Sequence, residues 1–465
     1  MIRMICAQFG LYNSKPFASM ESPQETNGEV FLNKCSKNLG SSPLAFQARS
    51  KRTRLGLFIF FVFIVIDTYG MNLLLRPYDT LIRPEVYLDA DYQLAAWMES
   101  GVRPAQGFNG DGMRVNPFAI WQVDQNALAM LQGFGEDSPL TELRNALDAQ
   151  DDDVRGHLLF NGDLQLDWGG AIGARWYFLP HAWFTAYLPF YKARLSNVCF
   201  VDRTGTTAPA DFRVRNMLTT PIRDIIAEFG EGLDLNGWKR SGPGDFNLMV
   251  EWMFPFEQQR PLLKLVEVDA RVGFTFPTGL KADEDKLLAF PFGYDGAVGI
   301  LYGGGLNVKL GYCFKAGFDV QLLHLFGNTR NRRIKTSIDQ SDILLLAKTP
   351  AYKDYGLTQR FNLFVQAYHV WGGLSALIGY QFLKHGEDHL ALDSCLYSTN
   401  FANSAASLDE WIVHSVEFNL HYDFAETWCQ NTCWAPQLSL FSRLPFNGKR
   451  SIAFTTVGVM LAIDF

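Results

Sequence analysis

Apolar and polar positions alternate with a period of two along most of the chain, which predicts β-strands with one face apolar and the other polar. The first such segment sets Val86, Leu88, Ala90, Tyr92 and Leu94 against Tyr87, Asp89, Asp91 and Gln93. In a longer second segment Leu158, Phe160, Leu164, Leu166, Trp168, Ile172, Ala174, Trp176 and Phe178 keep one parity, opposite Asn161, Asp163, Gln165, Asp167 and Arg175. A third runs from 182 to about 195, and Phe246, Leu248, Val250, Trp252 and Phe254 mark a fourth, with Glu251 opposite. The fifth, 266–276, opposes Val and Phe to Glu267, Asp269 and Arg271; the sixth, 298–312, carries Asn307 and Lys309; the seventh, 318–322, carries Asp319. Segments 361–369 and 374–382 form a hairpin across Trp371, Gly372 and Gly373. The tenth alternates Val416, Phe418, Leu420, Tyr422 and Phe424 with Glu417, Asn419, His421 and Asp423, and 437–443 and 451–465 complete the set.

Repeated about twelve times, this division of faces predicts an all-β, closed antiparallel transmembrane barrel over 85–465, with ten to fourteen strands allowed by splitting or losing a hairpin. Lipid leaves no unpaired strand edge tolerable, and closure removes every edge. Long connections such as 97–156, 196–245 and 327–359 alternate for the most part with short ones such as 179–181, 314–316 and 371–373. Barrels in bacterial outer membranes have that asymmetry, with long external loops and short periplasmic turns. Within 97–156, Ser138, Pro139, Glu142 and the spaced Leu140, Leu143 and Leu147 predict a short helix.

The closing segment SIAFTTVGVMLAIDF ends on Phe465. It resembles the last strand of bacterial outer-membrane β-barrel proteins, and the whole pattern resembles their porin and small-solute transport class. The resemblance is architectural and carries no family-specific motif. It implies outer-membrane localisation, passage of small solutes, contact with the lipid bilayer, and Phe465 as a signal to the β-barrel assembly machinery. Alternatives are a structural or adhesive barrel that binds a partner through its external loops, and, third, a barrel enzyme acting on lipid or peptide.

Composition agrees. The chain has 48% apolar and 19% charged residues, with 38 Phe, 17 Tyr, 11 Trp and 40 Gly, yet its mean hydropathy is −0.03. Strands that show one face to lipid and one to water have this balance. A net charge of −7 without a basic stripe argues against nucleic-acid binding. Lys51, Arg52 and Arg54 precede the uncharged run LGLFIFFVFIVI, and Thr68, Tyr69 and Gly70 offer a small-residue exit, so 51–70 reads as a signal peptide. Residues 1–50 read as a leader without pattern, and 71–84 as a periplasmic N-terminal segment.

The polar faces are expected to line the lumen: Asp89, Asp91, Asp163, Asp167, Arg175, Glu251, Glu267, Asp269, Arg271, Lys309, Asp319, Glu417, Asn419, His421 and Asp423, with Arg360, Arg443 and Asp464. Acids outnumber bases among them, which favours cations. Catalysis has little to stand on. Glu417, His421 and Asp423 share a face, but i and i+4 on a strand lie about 13 Å apart, and no hydrolase elbow occurs. His385 and His389 are spaced for a metal only on a helix, and Gly386 argues against one. No cofactor or metal is expected. Cys429 and Cys433 fall in an assigned periplasmic turn, where a short-loop disulfide is plausible, and Cys199 and Cys395 lie in external loops, near enough in assignment to bridge the rim. Trp97, Trp168, Trp176, Trp252, Trp371 and Tyr422 suit aromatic girdles.

Overall fold

Twelve antiparallel strands follow one another around a closed barrel. The structure, a computed structural model, describes residues 79–87, 90–150, 152, 154–425 and 435–465. The leader, the export segment, Asp89, Cys429 and Cys433 lie outside the described residues. The strands are β1 (Tyr92–Gly101), β2 (His157–Leu179), β3 (Ala182–Asp202), β4 (Phe246–Glu257), β5 (Leu263–Phe276) and β6 (Gly299–Leu310). They continue with β7 (Phe314–Leu325), β8 (Thr358–Trp371), β9 (Leu374–His385), β10 (Trp411–Asp423), β11 (Ala435–Lys449) and β12 (Thr456–Asp464). Each pairs with its sequence neighbours, and β1 also pairs with β12 in the register Gln93↔Asp464 to Gly101↔Thr456, which closes the ring. At the seam the Tyr92 and Phe465 backbones exchange two hydrogen bonds of 2.9 Å and their rings stack.

Alternation decides which face is which. On β12, Val457, Leu461 and Ile463 point outward, while Thr456, Met460 and Asp464 are buried within. On β1, Leu94 and Met98 are more than half exposed, and Gln93 and Glu99 are 1% exposed. Only a barrel sheathed in an apolar solvent has reason to expose the first set and bury the second. Trp176, Phe178 and Phe184 cluster on the outside near the β2–β3 turn, where an interfacial aromatic belt belongs.

Three details depart from the alternation. Strand β1 begins at Tyr92 and runs to Gly101, so the segment expected over 86–94 is a strand only in its last residues. Asp79–Tyr87 opens with a turn, Ile82 N donating to the Asp79 carbonyl at 3.2 Å, and runs on without strand pairing; Trp97 faces inward, its ring edge-on to Tyr187 and its Nε1 donating to the Ile82 carbonyl at 3.0 Å. Alternation detects extended chain; it does not say whether a neighbour pairs with it. The second departure is in β2, whose register slips at Leu166/Trp168. The extra residue turns the faces over. On one side of the slip Ile172 and Trp176 face outward; on the other Leu158, Phe160, Leu164 and Leu166 are buried inward. Third, the outer half of β3 pairs with a short strand, Trp238–Pro243, instead of β4, so the β2–β3 hairpin projects beyond the barrel.

The two barrel ends differ. One end is joined by 180–181, 258–262, 311–313, 372–373 and 424–434, the other by 102–156, 203–245, 277–298, 326–357, 386–410 and 450–455. The long loops pack into a cap. Met130, Leu131, Leu344, Phe290, Phe292 and Phe454 belong to one buried cluster that continues into the barrel. Within the cap lies α1 (Pro139–Leu147), the expected helix, whose first turn is capped by Ser138 Oγ accepting from Leu140 N at 3.3 Å.

Candidate functional site

The interior is organised by a segment that belongs to no strand. Asp79–Tyr87 threads the barrel and touches its wall on many sides. Asp79 accepts from Asn362 at 3.1 Å and from Gln381. Leu81 and Ile82 are buried, and the Leu81 carbonyl accepts from Asn419 Nδ2 at 3.0 Å. Arg83 Nη1 meets Glu251 Oε2 at 2.5 Å. Arg175 donates to the Pro84 carbonyl at 3.3 Å, Gln93 to the Glu85 carbonyl at 2.8 Å, and the Tyr87 hydroxyl to Asp423. Pro84 removes one donor that the sheet would otherwise have to satisfy, and Pro-containing chain favours extended backbone. Burying the two aliphatic chains stabilises the insertion by about 1.5–3 kcal/mol each. Of the stretch expected as a periplasmic arm, residues 79–84 therefore sit within the barrel.

Cross-strand register stacks the inner wall into layers. Asn247, Thr275, Gly299 and Leu325 form one row, and the next row inward is Met249, Gly273, Leu301 and Leu323. The row after that holds Glu251, Arg271, Gly303 and Gln321. A collar that is apolar over β4–β7 and polar at Thr185 on β3 and at Thr358 and His385 on β8 and β9 thus separates the long-loop mouth from a charged belt around the threaded segment. Glycine in this wall has a spatial reason: a Cβ on Gly379 would lie 2.9 Å from Leu81 Cδ atoms.

The belt is largely self-paired. Arg271 meets Asp319 and, at 3.1 Å, Asp269; Arg443 Nε meets Glu417 at 2.7 Å; Lys315 meets Glu267 at 2.7 Å; Arg360 lies 3.6 Å from Asp79. Lys309 lies 4.3 Å from the centre of the Tyr368 ring. The acidic excess on the wall is thereby met in part by Arg83 from the threaded segment, a base that strand alternation alone does not assign to the interior. Asp163 and Asp167 stand apart from this belt, on the projecting hairpin, with Asn197 Nδ2 at 2.7 Å and Arg194 Nε at 3.0 Å respectively. Asp91 is exposed at the short-turn end. Glu417 and His421 do not meet: His421 Nδ1 lies 2.7 Å from Ser439 Oγ. His385 uses both ring nitrogens, on Thr358 Oγ1 and Asp388 Oδ1, whereas His389 is exposed on a small outer strand. Cys199 and Cys395 are free thiols, so no bridge crosses the rim between them.

Above the collar, among the long loops, is a cavity of about 420 Å³. Its lining includes Tyr191, Asn247, Phe292, Arg332, His385 and Trp411. Asp295 orders one side by accepting from Arg332 at 2.7 Å and from Arg330, which also meets Glu284. Next to it, across Tyr355, burial alone would raise the Asp388 carboxyl, but Lys353 Nζ at 2.7 Å and the His385 ring outweigh it and hold it at about 2. A few aromatic faces with fixed, oppositely charged groups describe a site for a small, partly polar molecule. Sequence reasoning misses this cavity because its walls come from loops that carry no periodicity.

No family model matches the chain, and no curated protein does. Among solved structures, an outer membrane channel from Pseudomonas putida F1 is similar over 84% of this chain and all of that one, at 11% identity and a TM-score of 0.43. OprD from Pseudomonas aeruginosa is similar over 66% of this chain and 65% of that one, at 8% identity and 0.25. A FadL homologue from Pseudomonas aeruginosa is similar over 80% and 89%, at 9% identity and 0.24. At these scores function must be read from the geometry of this chain, and that geometry is a closed twelve-stranded β-barrel with an apolar exterior and a polar, threaded interior.

Proposed function

We propose that the protein is an outer-membrane channel for small solutes, with the long loops outside the cell and passage controlled by the threaded segment Asp79–Tyr87. The observation that carries the reading is the order of layers from the long-loop end inward: a mouth cavity of about 420 Å³, a collar that is apolar over β4–β7, then a charged belt closed by a separate piece of chain. A solute entering the cavity meets Trp411 and Tyr191 faces and the Arg332–Asp295 pair before it reaches the collar. Further passage requires the segment to shift, because it occupies the space within the charged belt.

Reconstitution of the purified full chain in planar bilayers tests the reading. Brief, small conductance steps are expected from the native protein, and longer ones when contacts of the threaded segment are weakened. Absence of steps above leak in both would overturn it.

A further inference from the structure

At the short-turn end of the barrel, ligating groups from three separate stretches of chain converge. They are Glu85 of the threaded segment, His369 beside the β8–β9 turn and Asp423 at the end of β10; one ligand atom of each lies within 4.8 Å of the others. His369 Nε2 is 3.5 Å from Glu85 Oε2 and 3.9 Å from Asp423 Oδ2. His421 is an independent observation. It is only 4% exposed, its Nε2 has no hydrogen-bond partner, and that atom lies 3.9 Å from Glu85 Oε1. Nδ1 lies 2.7 Å from Ser439 Oγ; in the tautomer that donates there, the lone pair of Nε2 is free for a metal.

The backbone is bent to bring His369 there. His369 has a φ of 44° although it is not glycine, and the β8–β9 register slips between Ala367 and Trp371. Such a conformation is strained for a residue with a side chain and persists where the surroundings require it. Lys315 forms its ion pair with Glu267 at 2.7 Å, so neither carboxylate of the cluster has it as a direct partner. A protonated His369 balances one carboxylate. A divalent ion balances both and uses the otherwise unpartnered nitrogen of His421.

We propose that Glu85, His369, His421 and Asp423 bind one divalent ion of the zinc class, which clamps the threaded segment to the barrel wall. Two imidazole nitrogens and two carboxylate oxygens suit such an ion. Bonds of about 2.0–2.2 Å place tetrahedral ligand atoms about 3.3 Å apart, so the separations of 3.5 and 3.9 Å among Glu85, His369 and Asp423 close with shifts of up to about 0.6 Å, while His421, 3.9 Å from Glu85 but outside the mutual 4.8 Å of the other three, turns further in to complete the shell. Ser439 on His421 and Tyr87 on Asp423 are the outer hydrogen bonds that orient the ligands. The clamp does not depend on the barrel being a channel.

The test is zinc titration of the chelator-stripped full chain in detergent, followed by calorimetry and zinc-edge X-ray absorption. The expected result is one zinc per chain, with a mixed nitrogen and oxygen shell and imidazole scattering that weakens in His421→Ala. Glu85→Gln, which leaves every barrel strand untouched, is expected to lower affinity at least tenfold. No uptake by the stripped protein, or native affinity in both variants, would overturn the proposal.

Discussion

Arg83 and Glu251 meet at 2.5 Å inside the barrel, joining the threaded segment to the wall of β4. The other Glu251 oxygen accepts from Thr185 Oγ1 at 2.5 Å, so the wall itself holds the carboxylate that Arg83 meets. A hydrogen bond to a charged group contributes about 1.5–3 kcal/mol. Removing about 2 kcal/mol shifts an in-or-out equilibrium roughly thirtyfold. Arg83→Ala is therefore expected to lengthen open times in bilayers and speed solute entry into proteoliposomes. Unchanged conductance would separate this contact from gating.

Gly379 offers the same test without altering a charge. Its missing side chain is the space that Leu81 fills, and an added Cβ would lie 2.9 Å from Leu81. Gly379→Val keeps the β9 ladder intact and raises its strand propensity, but it crowds the segment. More frequent opening with unaltered heat-modifiable migration is expected. Loss of the folded band would mean that the substitution harms the wall instead.

Much of this architecture is legible in the residues. The closing strand, the hairpin at Trp371 to Gly373, and the separation of Phe418 and Leu420 from Glu417 and Asn419 follow from side chains that alternate between lipid and interior. The threaded segment is not legible, because Val86 and Tyr87 alternate like a strand while their partners are side chains from most of the barrel. The parity reversal at Asp167 is equally hidden: one inserted residue leaves composition unchanged and exchanges the faces. The Glu85, His369 and Asp423 cluster joins positions 85, 369 and 423, and only closure brings them together.

Asp295 holds Arg330 and Arg332 at the cavity wall. Asp295→Asn leaves two guanidinium groups there with one fewer negative charge between them. Reversal potentials in a salt gradient are expected to move toward anions, because fixed charge at a mouth sets the local ion concentration. Movement toward cations would show that the cavity lies off the conduction path.

Asp388 predicts an acid response of the outer loops. Burial raises its carboxyl, but Lys353 and His385 prevail and hold it at about 2, below the ordinary value near 3.9. A depressed folded value means stabilisation that is full above about pH 4 and lost as pH falls through 2. Hydrogen exchange in 386–392 is expected to stay slow down to pH 4 and quicken between 4 and 2. Asp388→Asn should make it quick at neutral pH. Protection already lost at pH 5 would contradict the assignment.

Glu417 and Arg443 form a buried pair across β10 and β11, with Nε to Oε1 at 2.7 Å and both side chains almost inaccessible. Replacing one partner leaves a charge in a poorly solvated wall, a loss of about 3–5 kcal/mol, whereas replacing both with apolar chains of similar volume is often neutral. Glu417→Leu and Arg443→Met are each expected to lower the urea midpoint of the folded barrel, followed by the band that shifts on heating. The double variant should recover most of the loss. If the two losses simply add, the pair is not coupled, and each side chain is stabilised by other members of the belt, Asp79 and Arg360 among them.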